Sequence, residues 1–132
     1  MRLIGITVLA LALTSCASGL NRPVKEVTAR VDANGVQHVR IVAHSFYFEP
    51  NRIVVKAHQP VEVEIKNAAL LTPHNFSCMA PDAGVNVKKG LSWFGGTRRT
   101  RFIPTEPGEY PFLCAVDGHA GKGMTGTLVV VP

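Results

Sequence analysis

Cysteine is scarce in this chain: three residues in 132, too few for the stapled framework on which small disulfide-rich domains depend. At this length one domain can bury a core of its own without such staples. No internal repeat is visible, which sets aside repeat architectures. Aromatic residues make up only 7% of the sequence. Long apolar runs are missing apart from residues 3–13, and eleven residues are too few to span a bilayer. Acidic residues are outnumbered, nine against fourteen Lys and Arg, yet no nucleic-acid motif accompanies the excess. Long helical periodicities are lacking too. Val, Thr, Gly and Pro are plentiful, and they point to an all-β domain.

The N-terminus is read as a targeting segment. A positive start at Arg2 and the apolar run 3–13 have the form of a signal peptide. Leu13-Thr14-Ser15-Cys16 resembles the bacterial lipobox, so we expect residues 1–15 to be removed and Cys16 to be lipidated. The alternatives are a plain secretory signal, in which Cys16 is incidental, and an uncleaved anchor. Residues 16–23 would be a tether and 24–132 the folded domain. Loss of Arg2 leaves thirteen Lys and Arg against nine Asp and Glu, a net charge of +4 with His neutral. The basic residues Lys88, Lys89, Arg98, Arg99 and Arg101 fall in one half of the chain. Such a surface would attract an acidic redox partner or anionic lipid headgroups; an ordinary solvated surface is the competing explanation. Export and the absence of a motif argue against nucleic acid.

The chemistry concentrates near the C-terminus, in YPFLCAVDGHAGKGMTGTLVVV. Cys114, His119 and Met124 stand with four residues between each pair, in a glycine-containing loop between two strand-like runs. A thiolate, an imidazole and a thioether form a soft set that selects copper over magnesium, calcium or manganese. A thioether does not suit zinc. One more imidazole would complete two His and one Cys with a weak axial Met, the ligand set of a blue-copper electron-transfer site. His74, in LTPHNF, is the candidate. Taken singly, each residue has a plainer explanation: a buried small thiol, a satisfied histidine, a core methionine. The combination in one loop favours the metal.

Elsewhere the pattern is β. Asn34-Gly35 signals a tight hairpin turn, and Val27, Ala29 and Val31 are expected on one buried face. Val61, Val63 and Ile65 alternate with Glu62, Glu64 and Lys66, so the apolar set should face inward and the charges water. The two glutamates are therefore read as a solvated strand face and not as an acid/base pair. His38 and His44 are read as surface or structural. Pro73 restricts the backbone on which His74 is aimed. Asn75 is placed to tie this loop to the one around Cys114 through its amide, the kind of bond that orients metal ligands. His74, Phe76 and Cys78 share a face of an extended segment. Cys78 could be a further sulfur near the metal or a redox thiol; we read it as a small buried residue. Residues 81–96 are expected to hold loops or a short helical turn, with Trp93 and Phe94 packed on the core.

The C-x4-H-x4-M loop, the upstream Pro73-His74-Asn75 and the segment FYFEPNRIVVKAHQPVEVEIKN resemble the plastocyanin/azurin group of cupredoxins. The resemblance covers residues 36–132, most of the chain beyond the targeting segment. Pro73 is closer to plastocyanin than to azurin, which has Gly there. His58 stands where the group usually has a turn glycine. The resemblance implies a Greek-key β-sandwich and one-electron transfer at a single mononuclear type 1 copper held by His74, Cys114, His119 and Met124. It implies the same tying role for Asn75. Gly118, Gly121 and Gly123 are expected to leave the His119 ring edge uncovered as the electron port.

The expected partner is a redox protein, a cytochrome or membrane oxidase. The expected location is the outer side of a bacterial membrane, periplasmic or cell-surface, through the lipid anchor. A copper chaperone or buffer supplying a membrane oxidase is the alternative. An enzyme with Cys114 as nucleophile and His119 as base is disfavoured, because no nucleophile motif surrounds them and Met124 would have no role. Multicopper enzymes of similar fold need further copper centres, and no second ligand set is present.

Overall fold

The computed structural model describes residues 22–132. Cys16, residues 1–15 and most of the tether lie outside the described residues. Eleven strands follow one another: β1 (Glu26–Thr28), β2 (Arg30–Val31), β3 (Gln37–His44), β4 (Tyr47–Glu49), β5 (Arg52–Lys56), β6 (Val61–Asn67), β7 (Asn75–Ala80), β8 (Val85–Gly90), β9 (Thr97–Phe102), β10 (Gly108–Leu113) and β11 (Thr125–Val131). Two 3₁₀ turns, Pro81–Ala83 and Ala120–Lys122, interrupt them. One sheet runs β1-β5-β11-β10-β7-β8, and the other β2-β3-β6-β9 with β4 paired to β3. This is the expected Greek-key β-sandwich.

Period-two patterning decides which side of each strand is buried. In β6, Val61, Val63 and Ile65 are fully buried. Glu62 and Glu64 face outward into ion pairs with Arg40, Arg99 and Arg101. His38 joins this face 2.8 Å from Asp32, as the surface reading requires. Between the sheets lie Phe48, Phe76 and Phe112, mutually packed with ring centroids 5.0 to 5.9 Å apart.

Three expectations are corrected. Val27 and Val31 are 38% and 53% exposed, because β1 and β2 are edge strands whose outer neighbour is water. Residues 81–96 contain the expected short turn but also β8, which pairs with β7 from Asn75↔Gly90 to Ala80↔Val85. Trp93 and Phe94 do not pack on the core. They are 54% and 77% exposed, held out by an isolated bridge from Phe94 to Leu70. His58 adopts φ +60°, so the turn keeps the conformation of the glycine it replaces, with the His58 N–H donating to the Pro104 carbonyl at 2.7 Å.

Candidate metal centre

The four expected ligands come from three segments that meet at one end of the sandwich. His74 immediately precedes β7, Cys114 follows β10, and Met124 precedes β11. Strand β10 pairs with both β7 and β11, so the three segments are neighbours by sheet register. His74, just before β7, is buried with Phe76 and Cys78 on that strand, and Cys114, just after β10, with Phe112 on that one. The ligands thus continue the inward face of the sheet, with the phenylalanine cluster as their floor.

The ligand loop is fixed by its own backbone. The Cys114 N–H donates to the Met124 carbonyl at 3.0 Å, and the Met124 N–H to the His119 carbonyl at 3.2 Å. His119 leads into the 3₁₀ turn Ala120–Lys122, which Gly123 ends at φ +94°, a conformation glycine adopts without steric penalty. On the other side, the His74 carbonyl accepts from the Leu91 N–H at 2.9 Å. The buried Asn67 amide donates to the Ser92 carbonyl at 2.5 Å, anchoring the segment that holds His74.

His74 Nδ1, His119 Nδ1 and Cys114 Sγ converge. The two nitrogens are 3.2 Å apart, and the sulfur lies 3.8 Å from His74 and 3.5 Å from His119. All three side chains are buried, and the donor atoms lie within 4.8 Å of one another. Burial, and then the neighbouring His119, lower the pKa of His74. Both effects favour the neutral imidazole, the form a metal needs. Met124 is fully buried and tied to Cys114 and His119 through its backbone. Two imidazoles and a thiol facing one point, with the buried Met124 joined to them through the backbone of the same loop, fit copper: the set is soft and contains no carboxylate. The His74 Nε2 atom is buried without a hydrogen-bond partner among the described residues.

Asn75 performs the expected tie. Its Oδ1 accepts from the Ala115 N–H at 2.7 Å, and its own N–H points at Cys114 Sγ at 3.4 Å. Cys78 sits one pair further along β7 and is not among the converging donors. Its thiol is pushed up to about 11 by burial, as suits a structural residue.

One expectation about His119 is corrected. The residue is only 8% exposed. The glycines of its own loop leave it open, but Phe46 closes over it from the β3–β4 turn, edge to face at 5.0 Å. Phe46 also meets His74 at 6.4 Å. Sequence reasoning had no means of finding this contact, because Phe46 and His119 are joined only by the packing of two distant turns.

A family model for the cupredoxin-like domain matches residues 3–130. No curated protein sequence matches the chain. Among solved structures, dithionite-reduced auracyanin from Roseiflexus castenholzii is similar at TM-score 0.63 and 22% identity, with 72% of this chain and 97% of that one covered. The metal-binding domain of a Cu(I)-exporting P-type ATPase from Streptococcus pneumoniae D39, with Cu(I), aligns at TM-score 0.63 and 23% identity over 84% and 100%. Rusticyanin from Thiobacillus ferrooxidans aligns at TM-score 0.53 and 22% identity over 79% and 86%.

Proposed function

The chain belongs to the cupredoxin-like domain family, and on that premise we propose that it is a one-electron carrier with a single type 1 copper, and not an enzyme. The observation that carries the reading is the convergence of His74 Nδ1, His119 Nδ1 and Cys114 Sγ within 4.8 Å in a buried pocket, with Met124 bonded to the same loop. Copper, when bound, supplies the one-electron couple.

The protein's part is to keep the donors where they are. Cys114 and Met124 are locked together by a backbone hydrogen bond, Asn75 ties the His74 segment to Ala115, and the phenylalanine floor excludes water. Donors already converged need little movement between oxidation states, which keeps the reorganisation small. His119, beneath Phe46, offers the way to the surface. Beside the His74 segment, Leu70, Leu71, Trp93 and Phe94 stand exposed, an apolar surface of the kind partners cover. With the basic balance of the chain, it suits an acidic redox partner, a cytochrome or membrane oxidase. We place the protein outside a bacterial membrane, lipid-anchored through Cys16. Acyl mass on an N-terminal Cys16 in membrane-extracted protein would support this; an unmodified Cys16 would refute it.

The test of the centre is Cu(II) addition. It should produce one intense thiolate-to-copper charge-transfer band, and Cys114→Ser should abolish it. A colourless Cu(II) complex of the unaltered protein would defeat the reading. The similarity to a Cu(I)-ATPase domain keeps a second reading in view, copper delivery to an oxidase. Stoichiometric copper transfer to an apo-oxidase, without electron exchange with any redox partner, would favour it.

A further inference from the structure

Phe46 breaks a local rule at the metal centre. It occupies the second position of the two-residue turn between β3 and β4, where His44 pairs with Tyr47. Its φ is +66°. A turn with positive φ at that position calls for glycine or asparagine, and a bulky residue there is a genuine outlier. Phenylalanine gives the hairpin nothing in return, since its ring does not enter the core cluster. The ring instead lies over the two histidines, edge to face at 5.0 Å from His119 and 6.4 Å from His74, with interplanar angles of 85° and 88°. The Lys122 ammonium sits over the same ring, 4.0 Å from its centroid. Lys122 ends the 3₁₀ turn that His119 begins. The ligand loop thus reaches across and clasps the ring that covers it.

We propose that Phe46 is a lid on the metal centre, a positioning residue held shut by Lys122, which restricts access of water and competing ligands to His119 and His74 and so slows metal exchange. The inference rests on the electron-transfer reading, for which retention of metal through a redox cycle is the requirement the lid serves. A strained conformation kept at a site is warranted by what it does there. Here it carries an apolar ring to a place no strand residue reaches. The ring face attracts the ammonium through its quadrupole, so the clasp costs the apolar cover nothing in polarity. No donor atom is supplied by Phe46; it acts through the histidines it covers.

The experiment measures copper loss from the full mature protein, loaded with one copper, to a coloured chelator of moderate affinity. The chelator reports release by its own absorbance, so the measurement does not depend on the protein's colour. Phe46→Gly and Phe46→Asn both accept the positive φ, so neither puts the hairpin at risk. Both should release copper at least about threefold faster than the unaltered protein, while unfolding as cooperatively. Phe46→Tyr keeps the ring and should stay below that limit. Lys122→Met should raise the rate about two- to fivefold, the equivalent of one exposed cation–π contact. Rates less than threefold faster in both the Gly and Asn variants would overturn the lid, as would a Phe46→Tyr protein as fast as Phe46→Gly. An unchanged rate in Lys122→Met would overturn the clasp. An unaltered protein without the charge-transfer band would instead defeat the electron-transfer reading, a separate result.

Discussion

Replacing Cys78 with alanine should flatten the alkaline limb of the metal-free protein's stability curve and leave the metal centre's colour in place. Cys78 lies in the middle of β7, opposite Val87 on one side and Phe112 on the other, and is 2% exposed. Burial strips water from its thiolate and pushes the thiol to about 11 from an ordinary value of 9.0. The folded value is raised, so the folded protein holds its proton longer than the unfolded chain. Below pH 9 both states are protonated and the full stability is present. Above it the unfolded chain ionises first, and stability falls as pH rises toward 11. At pH 10 the unfolded thiol is about nine-tenths ionised and the folded thiol about one-tenth, a difference worth ~1.4 kcal/mol.

Urea unfolding at pH 7 and pH 10 measures this directly. The unaltered protein should lose ~1.4 kcal/mol more between the two pH values than Cys78→Ala does. The two proteins differ at this one residue, so every other contribution cancels in the comparison. Equal losses would refute the shielded thiol. Loss of the charge-transfer band in folded, copper-loaded Cys78→Ala would place the sulfur among the donors after all.

Asn75→Ala should lower stability by about 0.5–1.5 kcal/mol, by removing the Ala115 hydrogen bond, and weaken copper binding at least ~10-fold; chelator competition checks this, and unchanged affinity would confine Asn75 to a local role. Gly126→Ala would drive a methyl into the Phe112 ring and the Asn51 carbonyl, and should cost ~1–3 kcal/mol, read as a lowered Tm. Glu64 is held below the usual carboxylate range by Arg99 first and Arg40 next. The stability it contributes is present above that range and lost as pH falls through its folded value, so Glu64→Gln should flatten the acid limb of urea unfolding measured from pH 7 to pH 3.

What was local in the chain was legible in the sequence. The spacing of Cys114, His119 and Met124 in one short loop, with His74 upstream, named a soft donor set before any fold was known, because ligand chemistry depends on residue type. The inward set of β6 followed from period-two geometry, and the tie made by Asn75 from its amide next to His74 and from the family resemblance. What a strand faces was another matter. Alternation places Val27 and Val31 on one side of a strand, but only the sheet order puts those strands at edges with no partner to cover them. Trp93 and Phe94 read as core by composition, yet the bridge to Leu70 holds them in water. The glycines around His119 promised an open ring, and Phe46 closes it, from a turn whose positive φ no propensity for phenylalanine would suggest. Residue type determined which atoms could bind the metal. Tertiary packing decided how far solvent and a partner can reach them, because exposure depends on segments that are distant in sequence.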